Sequence, residues 1–487
     1  MALSIYNVKI NLLKMTYNVL NCLCVYKNKE CFIPQRYIMA TLACLALIVA
    51  YGQRIVLNFA INEIVPRSVS DHIHCRGVRN ITEEGLIEGG AMNWGRHQIA
   101  WVLGFFYVGY IVGHIPFGLY VDWYGSRQFF STGILVSTVM VISQPTLINY
   151  LPEQCLMASR FVMGVGQSAL FPSISVLIAR WIPPEERSLI AGFSYSANAL
   201  GLTIGNLVSG KGIEYLKSWP FAFYFWGMMG MFWYVLFIHY VFSGPESHPF
   251  ITPNEKAFLN EKVKRSNTRL EIPWSSMMRD STLWGLIFAQ IGHDYSMYTQ
   301  LSSLPRYLTI VPYYDLGMCS VMTSVPYIFQ WLTGIISGKI VNYLVNAKKV
   351  KVVNCRKFCS TLAILIPPII MFFVPFRGEC NATIINILLC LFCFFKGPIS
   401  VGVQVNHLDM TRNFPGIVNA IVNAMGAITG LTPIFISWIV IDNTLIEWLQ
   451  MYGLVLGIAV IGNIVYLFSC TADRRPWDLS PTEVAKS

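Results

Sequence analysis

The sequence predicts an all-α polytopic membrane protein of twelve transmembrane helices in two six-helix lobes, and three observations predict it. Of 487 residues, 54% are hydrophobic and only 12% charged, with a mean hydropathy of +0.52, where a soluble chain carries about 25% charged residues. Apolar runs of roughly 20 residues, each able to cross a hydrocarbon core of about 30 Å, recur from Tyr37 to Cys470. Lipid cannot satisfy backbone N–H and C=O groups, so runs of this kind must be helices. Finally, Lys and Arg sort to one side: with the N-terminus inside, about 24 fall on cytoplasmic segments and about 8 outside. The net charge of +10 is therefore read as loop charge, with the lipid bilayer rather than a nucleic acid as the partner, and both termini are expected in the cytoplasm.

Residues 1–36 read as a cytoplasmic tail without a small-residue cleavage site, so the first helix, near 37–61, is expected to act as an uncleaved signal anchor. That helix holds Arg54, with Asn58 one turn on along the same face. The loop 62–97 falls outside and carries the sequon Asn80-Ile-Thr82, while the second sequon, Asn381-Ala-Thr383, falls on the same side. Both asparagines are expected glycosylation sites. Cys75 and Cys380 also lie outside, and most of the 13 cysteines read as small buried hydrophobes. Helices near 98–121, 128–149, 155–179, 188–212 and 220–242 complete an N-terminal lobe at 37–242. A cytoplasmic linker, 243–280, follows, with Pro245, Pro249, Pro253 and Pro273 and a charged run, Glu255–Arg269, that reads as a short surface helix. The C-terminal lobe, 281–470, has helices near 281–310, 318–345, 355–376, 384–406, 415–441 and 450–470, and a cytoplasmic tail, 471–487, ends the chain.

One short pattern repeats between the halves. After the second helix stands Gly118-x-x-x-Asp122-x-x-Gly125-x-Arg127, and after the eighth a weaker copy has Gly338 and Asn342, then the basic run Lys348–Lys351. The glycines let two helix ends approach closely, and the Asp and Arg can pair across the loop or with a helix end in a contact that breaks and re-forms as lobes rock. Gly118, Asp122, Gly125 and Arg127 are therefore candidate gating residues. Six spans, a basic linker and six more spans place a midplane site between the lobes.

The loop pattern resembles the signature of the major facilitator superfamily, and Arg160-x-x-x-Gly164-x-Gly166 resembles its second signature. Further segments resemble one branch, that of sialin, the vesicular glutamate transporters and the type I sodium–phosphate cotransporters. These are Gly104-Phe-Phe-Tyr-Val-Gly-Tyr110 with Ile115-Pro116, Trp181-Ile-Pro-Pro-Glu-Glu-Arg-Ser188, Trp219-Pro-Phe-Ala-Phe-Tyr224, His248-Pro-Phe-Ile-Thr252, Ile272-Pro-Trp274 and Asn406-His-Leu-Asp409. The resemblance implies a carrier of small organic or inorganic anions, working by alternating access and coupled to protons, sodium or membrane potential. No cofactor or metal is expected beyond a coupling ion, and the chain is expected to be a monomer.

An unpaired Arg at mid-bilayer costs about 2.5–3.5 kcal/mol even on insertion scales, so Arg54 must face something polar. The resemblance implies that Arg54 grips a substrate carboxylate, which a planar guanidinium can do with two hydrogen bonds. Val56 stands where the branch usually has Asn. Arg160 is the second intramembrane cation, with Met163 and Gln167 on its face. Sialin and the glutamate carriers have Glu at those two positions as proton-coupling groups, so this chain is expected to run mainly on membrane potential or sodium. Lys396 stands where Gly is usual and is expected either to face the cavity or to pair with Asp294. His293, Asp294, Tyr298 and Gln300 form a further polar cluster, and Tyr110 and Tyr195 are candidate hydroxyl donors.

Other classes fit less well. No Gly-x-x-x-x-Gly-Lys loop, Gly-x-Ser-x-Gly elbow or His-Glu-x-x-His pair is present, so neither an enzyme nor an ATP-driven pump is expected. The doubled loop favours a carrier over an anion channel. A proton-coupled, sialin-like exporter of acidic sugars or amino acids is the alternative carrier. Neither tail has an acidic di-leucine signal, which favours the plasma membrane over lysosomal or vesicular membranes.

Overall fold

A computed structural model describes residues 34–65, 67–68, 87–88, 92, 94–249, 251–263, 271–310, 316–377, 382–439 and 445–479. Asn80 and Asn381 of the two sequons, with Cys75 and Cys380, lie outside the described residues. The first half holds α1 (Gln35–Ile64), α2 (Arg96–Tyr124), α3 (Ser126–Tyr150), α4 (Glu153–Gln167), α5 (Leu170–Trp181), α6 (Arg187–Leu216) and α7 (Pro220–Tyr240). The linker contributes α8 (Pro253–Lys262) and α9 (Trp274–Met278). The second half holds α10 (Ser281–Ile310), α11 (Leu316–Asn346), α12 (Val352–Arg377), α13 (Ala382–Lys396), α14 (Val403–Met410), α15 (Pro415–Ala427), α16 (Thr432–Ile439) and α17 (Leu445–Ser469). A two-residue antiparallel ladder, β1 (Arg67–Ser68) with β2 (Ile87–Glu88), follows α1.

Three of the twelve predicted spans are made of two helices in series. Helices α4 and α5 form one span broken at Ser168–Ala169, α13 and α14 a second, and α15 and α16 a third, with 3₁₀ turns at Gly397–Val401 and Ile428–Leu431 in the last two. The second break has a local cause: Pro398 lacks an N–H, and Gly402 adopts a backbone (φ −90°, ψ −115°) outside the helical region. Among the described residues ten helices are long and apolar enough to cross a membrane. The equally long α6 and α10 are more polar, and they turn those polar groups inward: Tyr195, Asn198 and Asn206 on α6, and Gln290, His293 and Asp294 on α10, are buried.

The lobes meet chiefly through α6 against α11 and α2 against α15. Small residues allow these approaches. A Cβ on Gly118 would lie 2.4 Å from that of Ala420, and one on Gly192 would lie 3.0 Å from the Cα of Gly338. Gly125 has φ +96°, which permits the turn from α2 into α3. The linker docks on the N-terminus of α1, where the Glu255 carboxylate accepts from the Gln35 and Arg36 amides at 3.0 and 3.3 Å. Arg36 bridges Glu255 and Glu186, at 3.2 and 3.1 Å.

Candidate substrate site

Arg54 lies on α1 and is buried, 3% exposed. Its guanidinium sits 4.4, 4.6 and 4.9 Å from the ring centres of Tyr51, Phe106 and Tyr110. The α2 segment Phe106–Tyr110 supplies this wall because its aromatic residues recur at helical spacing. Arg54 Nη2 donates to Gln167 Oε1 at 3.2 Å, while Nε and Nη1 have no acceptor among the described residues. Behind Gln167 runs a buried chain: its Nε2 donates to Ser137 Oγ (2.9 Å) and to the Ala50 carbonyl (3.2 Å), Ser137 donates to Gln53 Oε1 (2.7 Å), and Gln53 donates to Thr138 (2.9 Å). Arg160 on α4 lies 5.1 Å from the Phe106 ring centre, and its Nη1 donates to Met163 Sδ at 3.7 Å. No ion pair reaches Arg54 or Arg160 among the described residues. Two guanidinium groups flank one aromatic ring, and their open N–H groups have the chemistry to bond an anion's oxygens.

The opposite wall belongs to α10. Tyr298 packs edge-on against Tyr107 at 4.8 Å across the lobe boundary. Asp294, one turn earlier, accepts from Gln290 Nε2 at 2.9 and 3.0 Å and lies 2.9 Å from His293 Nδ1. For Lys396 the sequence offers a place facing the cavity or a pairing with Asp294. At the end of α13, its ammonium turns to α10 and donates to the His293 carbonyl (3.0 Å) and Ser296 Oγ (2.5 Å), with no ion pair to Asp294. Ser296 lies on the side of α10 away from Asp294 and Tyr298, by its helical spacing. Tyr195 is also set apart from Arg54: its hydroxyl meets Ser175 Oγ at 2.9 Å, and Ser175 in turn meets His407 Nε2 of the other lobe at 2.9 Å. Asn58 is half-buried, and its carbonyl accepts from Asn62 at 3.4 Å.

At the loop after α2, Asp122 does not pair with Arg127. Its oxygens accept from the Gly416 and Ile417 amides at 2.9 and 2.7 Å, so the N-lobe carboxylate caps the C-lobe helix α15. Arg180 donates to the Asp122 carbonyl at 3.1 Å, while Arg127 donates to the Ile238 carbonyl and covers the Phe242 ring at 4.2 Å. On the same face Arg187 donates to the Leu408 carbonyl (3.0 Å), Arg356 to Ser188 (3.2 Å) and Asn346 to the Glu185 carbonyl (3.0 Å). In the weaker copy of the loop Asn342 stands in place of the carboxylate, and this cross-lobe work passes to Arg356 and Asn346.

Sequence reasoning missed Tyr51, Phe106, Tyr107 and the Gln53–Ser137 chain. An aromatic residue in an apolar run reads as packing, and a lone Gln or Ser there gives no signal of its partner. Among the described residues no group of three His, Cys, Asp or Glu could hold a metal ion.

Comparison with known proteins agrees with this architecture. The chain is 27% identical over 453 residues to sialin of Ovis aries, covering 91% of each. It is 27% identical over 404 residues to a Drosophila ananassae protein provisionally named an inorganic phosphate cotransporter, covering 81% of this chain and 83% of that one. The fold superposes on the proton:xylose symporter XylE bound to 6-bromo-6-deoxy-D-glucose with a TM-score of 0.66 at 14% identity, over 92% of this chain and 99% of that one. The family model of the Major Facilitator Superfamily matches residues 43–433. Two six-span lobes, a capped loop between α2 and α3 and these relatives together make the chain a multi-pass membrane transporter, not an enzyme, that belongs to the Major Facilitator Superfamily, in the branch of sialin and the phosphate cotransporters.

Proposed function

We propose that the protein carries small organic or inorganic anions by alternating access, driven mainly by membrane potential or sodium. The observation that carries this reading is the pair Arg54 and Arg160, buried at the lobe boundary without a carboxylate partner among the described residues. An anion with two or more oxygens can take the open N–H groups of Arg54 and approach Arg160 across Phe106. Tyr110 and Tyr298 line the same space. Met163 and Gln167 beside Arg160 do not titrate, and an anion entering a cationic cavity moves charge unless a cation accompanies it. Rocking about the α2–α15 and α6–α11 seams would exchange access between the two faces. In this reading the linker face, with both termini, is cytoplasmic, and the membrane is the plasma membrane.

The test is uptake in proteoliposomes across phosphate, sialate, glutamate, urate and aryl anions, with pH, sodium and voltage gradients imposed separately. Concentrative uptake under voltage or sodium alone supports the reading. Uptake driven by a pH gradient alone, with voltage clamped and sodium absent, would overturn the coupling. Absence of saturable counterflow would replace the carrier with an anion channel. A second reading, a proton-coupled exporter of acidic sugars or amino acids, is favoured by the buried His293–Asp294 contact at 2.9 Å, a titratable pair on the site's far wall.

A further inference from the structure

Beyond the cations stands one fixed anion. Among the described residues Asp294 is the carboxylate in mid-span, and it lies on the face of α10 that looks across the lobe boundary: Tyr298, one turn on, touches Tyr107 at 4.8 Å. The carboxylate is held in place. Gln290 bonds both oxygens, His293 Nδ1 meets Oδ1, and Oδ2 lies 2.3 Å from where a Cβ on Gly426 would stand, so α15 fits closely against it. Neither Arg54 nor Lys396 forms an ion pair with it.

We propose that Asp294 is the carrier's internal counter-ion, the group that lets the lobes close over Arg54 and Arg160 without a transported anion. This rests on the anion-carrier reading and adds to it the step that reading leaves open. Closing a low-dielectric interior over two unpaired guanidinium groups is unfavourable, and a carboxylate carried in by the opposing lobe offsets part of that cost. A carrier with such a group can return unloaded and so accumulate anion in vesicles that start with none. A carrier without it must return loaded, and is confined to exchange.

The experiment compares two modes of uptake by the full-length protein in proteoliposomes, with labelled phosphate, sialate, glutamate and urate as probes. In one mode the vesicles hold no substrate anion, and in the other they are loaded with the unlabelled probe. Wild type is expected to take up a probe in both modes. Asp294→Asn is expected to lower net uptake relative to its own counterflow roughly tenfold or more, and Asp294→Glu to restore the wild-type ratio. Net uptake by Asp294→Asn at the wild-type rate, or equal loss of both modes in a folded variant, overturns the proposal. So does a wild-type protein that shows counterflow and no net uptake, a result that needs no variant to fold. Absence of wild-type counterflow with every probe overturns the carrier reading itself, and the proposal with it.

Discussion

Arg54 spends one N–H on Gln167 and leaves Nε and Nη1 open, so its charge and its aim are separable by mutation. Arg54→Ala is expected to abolish uptake while expression and membrane insertion persist. Arg54→Lys is expected not to restore it, because a point charge cannot reproduce a two-pronged grip; near-normal uptake by either variant would remove Arg54 from the site. Gln167→Glu tests the aim. A carboxylate in place of an amide oxygen 3.2 Å from Nη2 would neutralise the guanidinium and weaken anion affinity at neutral pH by about tenfold, or 1.4 kcal/mol. Protonation of that new carboxyl would free the guanidinium again, so the lost affinity should recover as pH falls, where the wild type shows no such dependence. A variant with unchanged affinity and no new pH dependence would show that Gln167 does not govern Arg54. Arg54 and Arg160 were legible in the sequence because a charge inside an apolar run needs a reason. The Gln53–Ser137–Gln167 chain was not, because its members come from three different spans and only the fold makes them neighbours.

At the scale of elements, the spans were legible because length and hydropathy specify a membrane crossing, and all twelve predicted stretches are helical along their described residues. The breaks in three of them were not. Hydropathy is blind to a 3₁₀ turn that keeps the same apolar residues, as at Gly397–Val401. Lys396 sits at that break, and its ammonium ties α13 to the backbone of α10 through the His293 carbonyl and Ser296. Lys396→Met keeps the length of the side chain and removes two charge-assisted bonds, so thermal stability should fall by about 1–3 kcal/mol while the order of preference among anions is kept. A changed order with unchanged stability would instead put the ammonium in the cavity. Asp122 makes a different kind of link, a carboxylate of one lobe on the helix N-terminus of the other. Asp122→Ala should cost the closed linker face about 1–2 kcal/mol and raise the reactivity of thiols introduced along α14 toward a linker-side reagent several-fold. Unaltered reactivity would reduce the loop to a structural cap.

Across the whole molecule the linker face is where the chain's distant parts converge. The tail after α17 folds back on it: Asp478 accepts from Thr411, from the Arg412 and Asn413 amides and from Arg474, just ahead of the α15 amides that Asp122 caps. Arg475 and Trp477 bond Asp280 at the start of α10, at 2.7 and 2.6 Å. Burial alone would raise the Asp280 carboxyl, but Arg475, Trp477 and the Thr282 amide outweigh it and hold the group below its ordinary value. That contribution is complete above the ordinary carboxylate range and is lost only as pH falls through the lowered value, so it does not respond between pH 7 and 5. His248 in the linker does respond. It packs between Trp181 and Phe242, with ring centres 5.6 and 4.7 Å away, and burial pushes its imidazole down to about 4, against a smaller upward pull from the Tyr240 carbonyl. A base lowered on folding stabilises the folded state fully above its ordinary value of about 6.5, and that stability drains away as pH falls from there toward 4. The wild-type protein is therefore expected to melt at a lower temperature at pH 5 than at pH 7.5, by roughly 2 °C or more. His248→Phe fills the same aromatic slot without a titratable group, so the difference between the two melts should shrink. The measurement is a pair of thermal melts of purified protein in detergent, followed by tryptophan fluorescence, and an undiminished pH difference in His248→Phe would assign the acid sensitivity to another group.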